Sequence, residues 1–289
     1  MSCARRACCG RRNVNYSSQQ VKVFVFDFDQ TLSAVHVFKQ LAGWEAPAVQ
    51  FVHPPFELSE RGQVNLVNRL NGSGKYVFTP PNKDQNARPA IFLVDKKKGL
   101  EGTTWSVACL GGQNRVDALR RFFNDLKARD ATLVICTKGY VDTVRKILKD
   151  VDLDKYFTRF YGRSDVEYNR KGGARKTGNP DDDMKRTKWS SKGLVLRELV
   201  KEWDLEKEEA CLIDDDVREL DGSSAYSETL LVEDATGIDP QIMMTLAEAA
   251  KNLSQDNSIE LRGFGGGGQD PRDVPVDFRN RSGHSFEEL

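Results

Sequence analysis

No apolar run in this chain approaches the ~18 residues that a membrane-spanning helix requires. Net charge is missing too: 43 Lys and Arg face 43 Asp and Glu. A balanced chain has no global field to draw nucleic acid or an acidic partner, so no nucleic-acid partner is expected. The first residues, MSCARRACCGRR, hold no apolar stretch of the kind a secretory signal carries. No internal repeat is visible. These absences point to an intracellular, cytoplasmic protein. At 289 residues the chain has room for one large domain, or for a core domain with a smaller one inserted.

Cysteine is present but unevenly placed. Cys136 and Cys211 lie inside apolar runs and read as inert core thiols, whereas Cys109 is ambiguous. Cys3, Cys8 and Cys9 crowd the N-terminus among Arg5, Arg6, Arg11 and Arg12. Three readings stand for that tail. It is a disordered, weakly basic segment; or its cysteines carry palmitate and tether the protein weakly to an anionic membrane; or its thiolates bind zinc, for which no fourth ligand lies nearby.

The most informative stretch is Val21–Leu32, VKVFVFDFDQTL. A strand this rich in Val and Phe is buried on both faces, as in a parallel sheet. Carboxylates at its end are costly to bury unless a cation or an open mouth receives them. The carboxyl edge of a parallel sheet is such a mouth. Asp27 and Asp29 therefore read as working residues, against the plainer alternative of a strand followed by an Asx-type turn.

Residues 1–20 read as a tail and 21–29 as the first strand. Between 31 and 112 the pattern is irregular. Val35–Leu41 and Leu58–Leu70 suit short helices; Tyr76–Phe78, Ala90–Val94 and Trp105–Leu110 suit short strands. Order then returns. Val116, Leu119, Phe122, Phe123 and Leu126 keep helical spacing, and Ala131–Cys136 is a second buried strand. Val141–Leu148 is a helix, Phe157–Tyr161 a strand, and 162–190 a polar, basic, Gly-rich loop. Leu194–Trp203 is a helix, Ala210–Ile213 a short buried strand and Thr229–Val232 a further strand. Asp239 caps a last helix with Pro240 at its first position. Residues 254–289, with GFGGGG, read as a disordered tail. Alternating strands and helices predict an α/β fold with a parallel sheet.

Three strand ends carry polar residues that do not belong in a core: Asp27-Phe28-Asp29-Gln30-Thr31, Thr137-Lys138-Gly139 and Asp214-Asp215-Asp216. In a parallel sheet they share one edge. Lys192 opens a helix between the second and third of these. DxDxT after an apolar strand, a strand ending in Thr, a Lys opening a helix and a strand ending in DD, in this order, resemble motifs one to four of the haloacid-dehalogenase-like (HAD) phosphohydrolases. The resemblance covers roughly 21–29 and 113–253. It implies a Rossmann-like three-layer sandwich whose core comprises 21–30 and 113–253, with a cap insertion after the first strand over 31–112.

It also implies roles. Asp27 is the nucleophile and Asp29 the general acid/base, a position at which members acting on carbon and the ion-pumping ATPases lack an aspartate. Thr137 binds the phosphoryl group. Lys192 neutralises charge, with Lys188 as second choice and Lys185 close by. Mg²⁺ is the implied cofactor, held by Asp27, the backbone carbonyl of Asp29, Asp214 and Asp215. Asp216 reads first as the N-cap of the next helix. The chemistry of these residue types agrees: a carboxylate can form an aspartyl phosphate, a carboxyl two residues on can serve both proton transfers, and hard oxygen ligands suit Mg²⁺.

The resemblance implies a Mg²⁺-dependent phosphoric monoester hydrolase. An insertion of roughly 80 residues between motifs one and two tilts the expected substrate to a small phosphorylated metabolite. A protein phosphatase acting on phosphoserine or phosphotyrosine is the first alternative, and a silent domain used for binding or scaffolding the second. Two features depart from the family pattern: a mixed rather than helical insertion, and the long basic loop from Arg163 to Ser190. His36, Trp44, His53, Lys75 and Trp105 are candidate substrate contacts, each also open to a structural reading.

Overall fold

The computed structural model describes residues 20–44, 56–81, 89–94, 102–163, 191–233 and 236–250. Expectations for the N-terminal cysteines, His53, the basic loop with Lys185 and Lys188, and the C-terminal tail lie outside these residues.

Five parallel strands form the main sheet: β1 (Val23–Phe26), β4 (Thr132–Tyr140), β5 (Phe157–Arg163), β6 (Ala210–Asp214) and β7 (Glu228–Leu231). Their spatial order is β5-β4-β1-β6-β7, which puts β1 at the centre. Val23 pairs with Thr132 on one side and Ala210 on the other, and Phe26 with Ile135 and Ile213. All four β1 residues are buried, and the pleat sorts them by face. Phe24, Phe26, Leu133, Ile135, Cys211 and Ile213 enter one apolar layer. Val23, Val25, Val134, Cys136, Ala210 and Leu212 enter the other. The first layer holds α4 (Gln113–Ala128), α5 (Val141–Asp150) and α8 (Pro240–Ala249); the second holds α6 (Lys192–Trp203) and α7 (Val217–Ser223). The result is a Rossmann-like three-layer α/β sandwich.

Phe26 shows why the Phe-rich strand suits this centre. Its ring meets Phe122 and Phe123 of α4 and Phe157 of β5 edge-on, with centroids 5.8 to 6.4 Å apart. Each such pair adds about 0.5–1.5 kcal/mol to the burial itself. Towards the end of the described residues Asp239 Oδ1 accepts from Ile242 N at 2.7 Å and caps α8, with Pro240 at its first position.

The described part of 31–112 is mixed: α1 (Val37–Ala42), α2 (Glu60–Ser73), an antiparallel hairpin of β2 (Tyr76–Thr79) and β3 (Ala90–Leu93), and α3 (Trp105–Cys109). Leu66, Val67, Leu70, Ile91 and Trp105 join the apolar layer that holds Phe24 and Phe26. Polar bonds fasten α2 along α5. Glu60 Oε1 accepts from Asp142 N at 2.8 Å, and Asn71 Nδ2 donates to Asp150 Oδ2 at 2.7 Å and to Ser106 Oγ at 2.9 Å.

One element differs in type. Trp105–Leu110 reads as a short strand between Gly and Lys clusters, yet Trp105–Cys109 is helical. Thr104 Oγ1 accepts from Val107 N, a helix-starting cap, and Gly111 and Gly112 at φ +91° and +93° end the segment. All five helical residues are buried, so the segment shows no exposed face to reveal its period. Trp105 is fully buried, which corrects its candidacy as a substrate contact.

Candidate functional site

The site grows from the carboxyl ends of β1, β4 and β6. Asp27 N donates to Ile213 O at 2.9 Å, so the ladder continues one residue past β1 and holds Asp27 beside Asp214. The chain then turns on the Phe28 carbonyl, which accepts from Leu32 N at 3.1 Å, Ser33 N at 2.8 Å and Ser33 Oγ at 2.9 Å. Gln30 adopts φ +62° in this turn. That conformation brings Asp29 back towards α1, where its Oδ1 accepts from Phe38 N at 3.1 Å.

Thr137 lies within β4, which runs on to Tyr140 with a register shift against β5 after Cys136. Its buried Oγ1 accepts from Gly139 N at 3.0 Å. A methyl group on Gly139 would stand 3.4 Å from both Asp29 Oδ2 and Thr137 Oγ1, so these oxygens border one small space.

Lys192 is the first residue of α6 and only 2% exposed. Its Nζ lies 2.5 Å from Asp27 Oδ1 and 2.5 Å from Asp214 Oδ2. Carboxylate oxygens of Asp27, Asp214 and Asp215 all fall within 4.8 Å of one another. Asp216 stands apart: it caps α7, accepting from Arg218 N at 3.0 Å, and pairs with the Arg218 side chain at 2.9 Å.

The electrostatics follow from the crowding. Burial pushes the Asp27 carboxyl well above its ordinary range; Lys192 opposes this, and Asp214 and Asp29 add to it. Burial raises Asp214 against the pull of Lys192, and burial with the Asp214 charge raises Asp215. Burial works against the Lys192 ammonium, but Asp27 and Asp214 outweigh it and hold the lysine charged. Three carboxylates against one ammonium leave an excess of two negative charges when all are ionised. A hard divalent cation with oxygen ligands fits this donor set in charge and in kind.

Glu219, on α7, is a participant that the sequence did not single out. It is buried; its Oε2 accepts from Lys192 N at 2.7 Å and its Oε1 pairs with Lys138 Nζ. No local pattern separates it from a solvated helix glutamate. Of the candidate substrate contacts, Lys75 is exposed, and Trp44 is 61% exposed and edge-on to Phe38. His36 stands beside Asp29. The Cys109, Cys136 and Cys211 thiols are buried, and burial raises the pKa of Cys109 and of Cys136. Among the described residues, no helix is long and apolar enough to cross a membrane.

A parallel α/β sandwich with an acidic cluster and a buried lysine at its carboxyl edge is a Rossmann-like protein with a polar cluster where such folds bind ligands. The chain belongs to the haloacid dehalogenase-like hydrolases, whose family model matches residues 21–225. No curated protein matches it. Similar solved structures include a haloacid dehalogenase-like family protein from Streptococcus pneumoniae, at 15% identity over 78% of this chain and 90% of that one, TM-score 0.33. A 3-deoxy-D-manno-octulosonate 8-phosphate phosphatase from Moraxella catarrhalis aligns at 12% identity over 84% and 94%, TM-score 0.33. An L-2-haloacid dehalogenase from Xanthobacter autotrophicus aligns at 11% identity over 83% and 88%, TM-score 0.36.

Proposed function

We propose that this hydrolase is a Mg²⁺-dependent phosphomonoesterase that works through an aspartyl phosphate on Asp27. The observation that carries the reading is the joint contact of Lys192 Nζ with Asp27 and Asp214, beside Asp215 and two residues from Asp29. Asp29 favours phosphorus over carbon as the electrophile, because a carboxyl there can protonate an alkoxide and then activate water.

An Asp27 oxygen attacks phosphorus and the bond from phosphorus to the ester oxygen breaks; the departing oxygen takes the Asp29 proton. Asp29 then takes a proton from water, whose oxygen attacks phosphorus and displaces Asp27, releasing inorganic phosphate. Thr137 and the backbone N–H groups around it cradle the phosphoryl oxygens. Lys192 favours the ionised form of Asp27 against the pull of burial and offsets the charge of the transferring group. Asp27, Asp214, Asp215 and the carbonyl of Asp29 would hold Mg²⁺, which supplies charge neutralisation at the phosphoryl oxygens. A small phosphorylated metabolite is the preferred substrate class, since the inserted segment reaches the site through α1 and its bond to Asp29.

The test is turnover of p-nitrophenyl phosphate with Mg²⁺, beside the Asp27→Asn variant and panels of phosphometabolites, phosphopeptides and 2-haloalkanoates. Mg²⁺-dependent phosphate release that disappears in Asp27→Asn is expected. Halide release without phosphate release would overturn the reading.

A further inference from the structure

Asp29 is held from one side by a fixed donor and left open on the other. Phe38 N, in the backbone of α1, occupies Oδ1 at 3.1 Å. Oδ2 faces the space it shares with Thr137 Oγ1. The nearest ring nitrogen, His36 Nδ1, lies 3.5 Å from Oδ2. This nitrogen is buried and has no hydrogen-bond partner among the described residues. His36 is the N-cap residue of α1, yet its side chain makes no capping bond. A polar atom that is buried, unpaired and beside a carboxylate oxygen is costly unless the pair closes at work. Catalytic hydrogen bonds are often long in an empty site and tighten in the loaded one.

We propose that His36 is a positioning residue for Asp29: its Nδ1–H engages Oδ2 in the loaded site and aims that oxygen at the leaving group. The inference rests on the phosphomonoesterase reading above. Phe38 N fixes where Oδ1 sits, and His36 fixes the rotation of the carboxyl about that anchor. Oδ2 keeps a second lone-pair direction for the proton it transfers. Without His36 the carboxyl can turn, and protonation of the leaving oxygen loses its geometry, while attack by Asp27 is untouched.

The two roles separate by leaving group. Phenolate leaves poorly and needs the proton; 2,4-dinitrophenolate leaves without it. The full-length protein with Mg²⁺ is assayed on phenyl phosphate and 2,4-dinitrophenyl phosphate, and kcat/KM is read because it reports transfer to Asp27. His36→Ala is expected to lower kcat/KM at least ~10-fold on phenyl phosphate, a fraction of what general acid catalysis supplies. It should leave dinitrophenyl phosphate nearly unchanged. His36→Asn, whose amide N–H reaches a similar place, should restore much of the difference. Both esters are read on one sample, so the ratio does not depend on the folded fraction. If His36→Ala fails to fold, His36→Phe keeps the ring volume without the nitrogen and gives the same reading. An equal loss on both esters, or no loss, overturns the inference. Absence of wild-type turnover removes the phosphatase reading and this inference with it, whereas wild-type turnover with an unchanged ratio removes this inference alone.

Discussion

The backbone N–H of Lys192 donates to Glu219 Oε2 at 2.7 Å. Ser191, the N-cap residue of α6, makes no side-chain cap, so a carboxylate from α7 takes that place at the positive end of the helix. The same carboxylate pairs with Lys138, next to Thr137. Glu219 thereby ties the start of α6 to the end of β4, and Lys192 projects from that tie to Asp27.

Glu219→Ala is expected to lose about 1.5–3 kcal/mol of stability, the value of a hydrogen bond to a charged group. Urea unfolding measures it. Glu219→Gln keeps an acceptor for Lys192 N and should recover part of the loss. A midpoint unchanged in both variants would show that the tie contributes nothing.

Gly193 follows Lys192 where α6 meets α7. A methyl group there would stand 2.2 Å from the Gly222 carbonyl oxygen, so the two helices cannot keep their distance. Gly193→Ala ordinarily favours a helix, yet here we expect destabilisation by about 1–3 kcal/mol, the usual cost of overpacking. Activity should fall too, because Lys192 moves with its helix. A higher melting temperature would refute this.

Arg115 is a half-buried residue whose guanidinium is bonded to three carbonyls from separate segments. Its Nη1 donates to Leu32 O at 2.6 Å and Leu110 O at 2.7 Å, and its Nη2 to Ile238 O at 3.1 Å. Burial pushes its pKa down to about 10, which leaves it charged at neutral pH. Arg115→Ala strands these acceptors and is expected to cost about 3 kcal/mol or more. The urea midpoint should drop with the slope unchanged. A loss within about 0.5 kcal/mol would class Arg115 with ordinary surface positions.

Asp215 carries a folded-state pKa above the ordinary carboxylate range, from burial and then from Asp214. The native state therefore holds this proton more tightly than the unfolded chain. Stability falls as pH rises from about 4 through the raised pKa, and stays lower above it. In EDTA, Asp215→Asn should melt higher than the wild type near neutral pH, with a shallower decline from acid. Asp27 and Asp214 share the sign, so some decline remains. Mg²⁺ should raise the wild-type melting temperature more than that of the variant. A variant less stable than the wild type in EDTA at neutral pH would contradict this account.

Much of the fold was legible because its signals are local. The apolar run Val23–Phe26 reads as a central strand, and Asp239 with Pro240 marks a helix start whatever surrounds them. Asp27 and Asp29 stood out because a turn directly after a buried strand leaves a carboxylate few reasons to be there. Trp105–Cys109 departs from the expected strand for the complementary reason. A short segment buried all round shows neither strand nor helical periodicity, and its type was decided by the Thr104 cap and the glycines after it.

The sequence by itself determined the order of the elements, the parallel α/β class and the two aspartates at the head of the site, since hydrophobic runs, caps and turns act over a few residues. Only the tertiary structure decided that Lys192, ranked ahead of Lys188 in the sequence, touches both Asp27 and Asp214. Lys192 lies 165 positions from Asp27 along the chain yet 2.5 Å away in space. Coulomb attraction and burial depend on that second distance, which no local pattern encodes. The same holds for Glu219, an ordinary helix glutamate in the sequence, which becomes a buried partner of Lys192 and Lys138 once α7 packs beside α6.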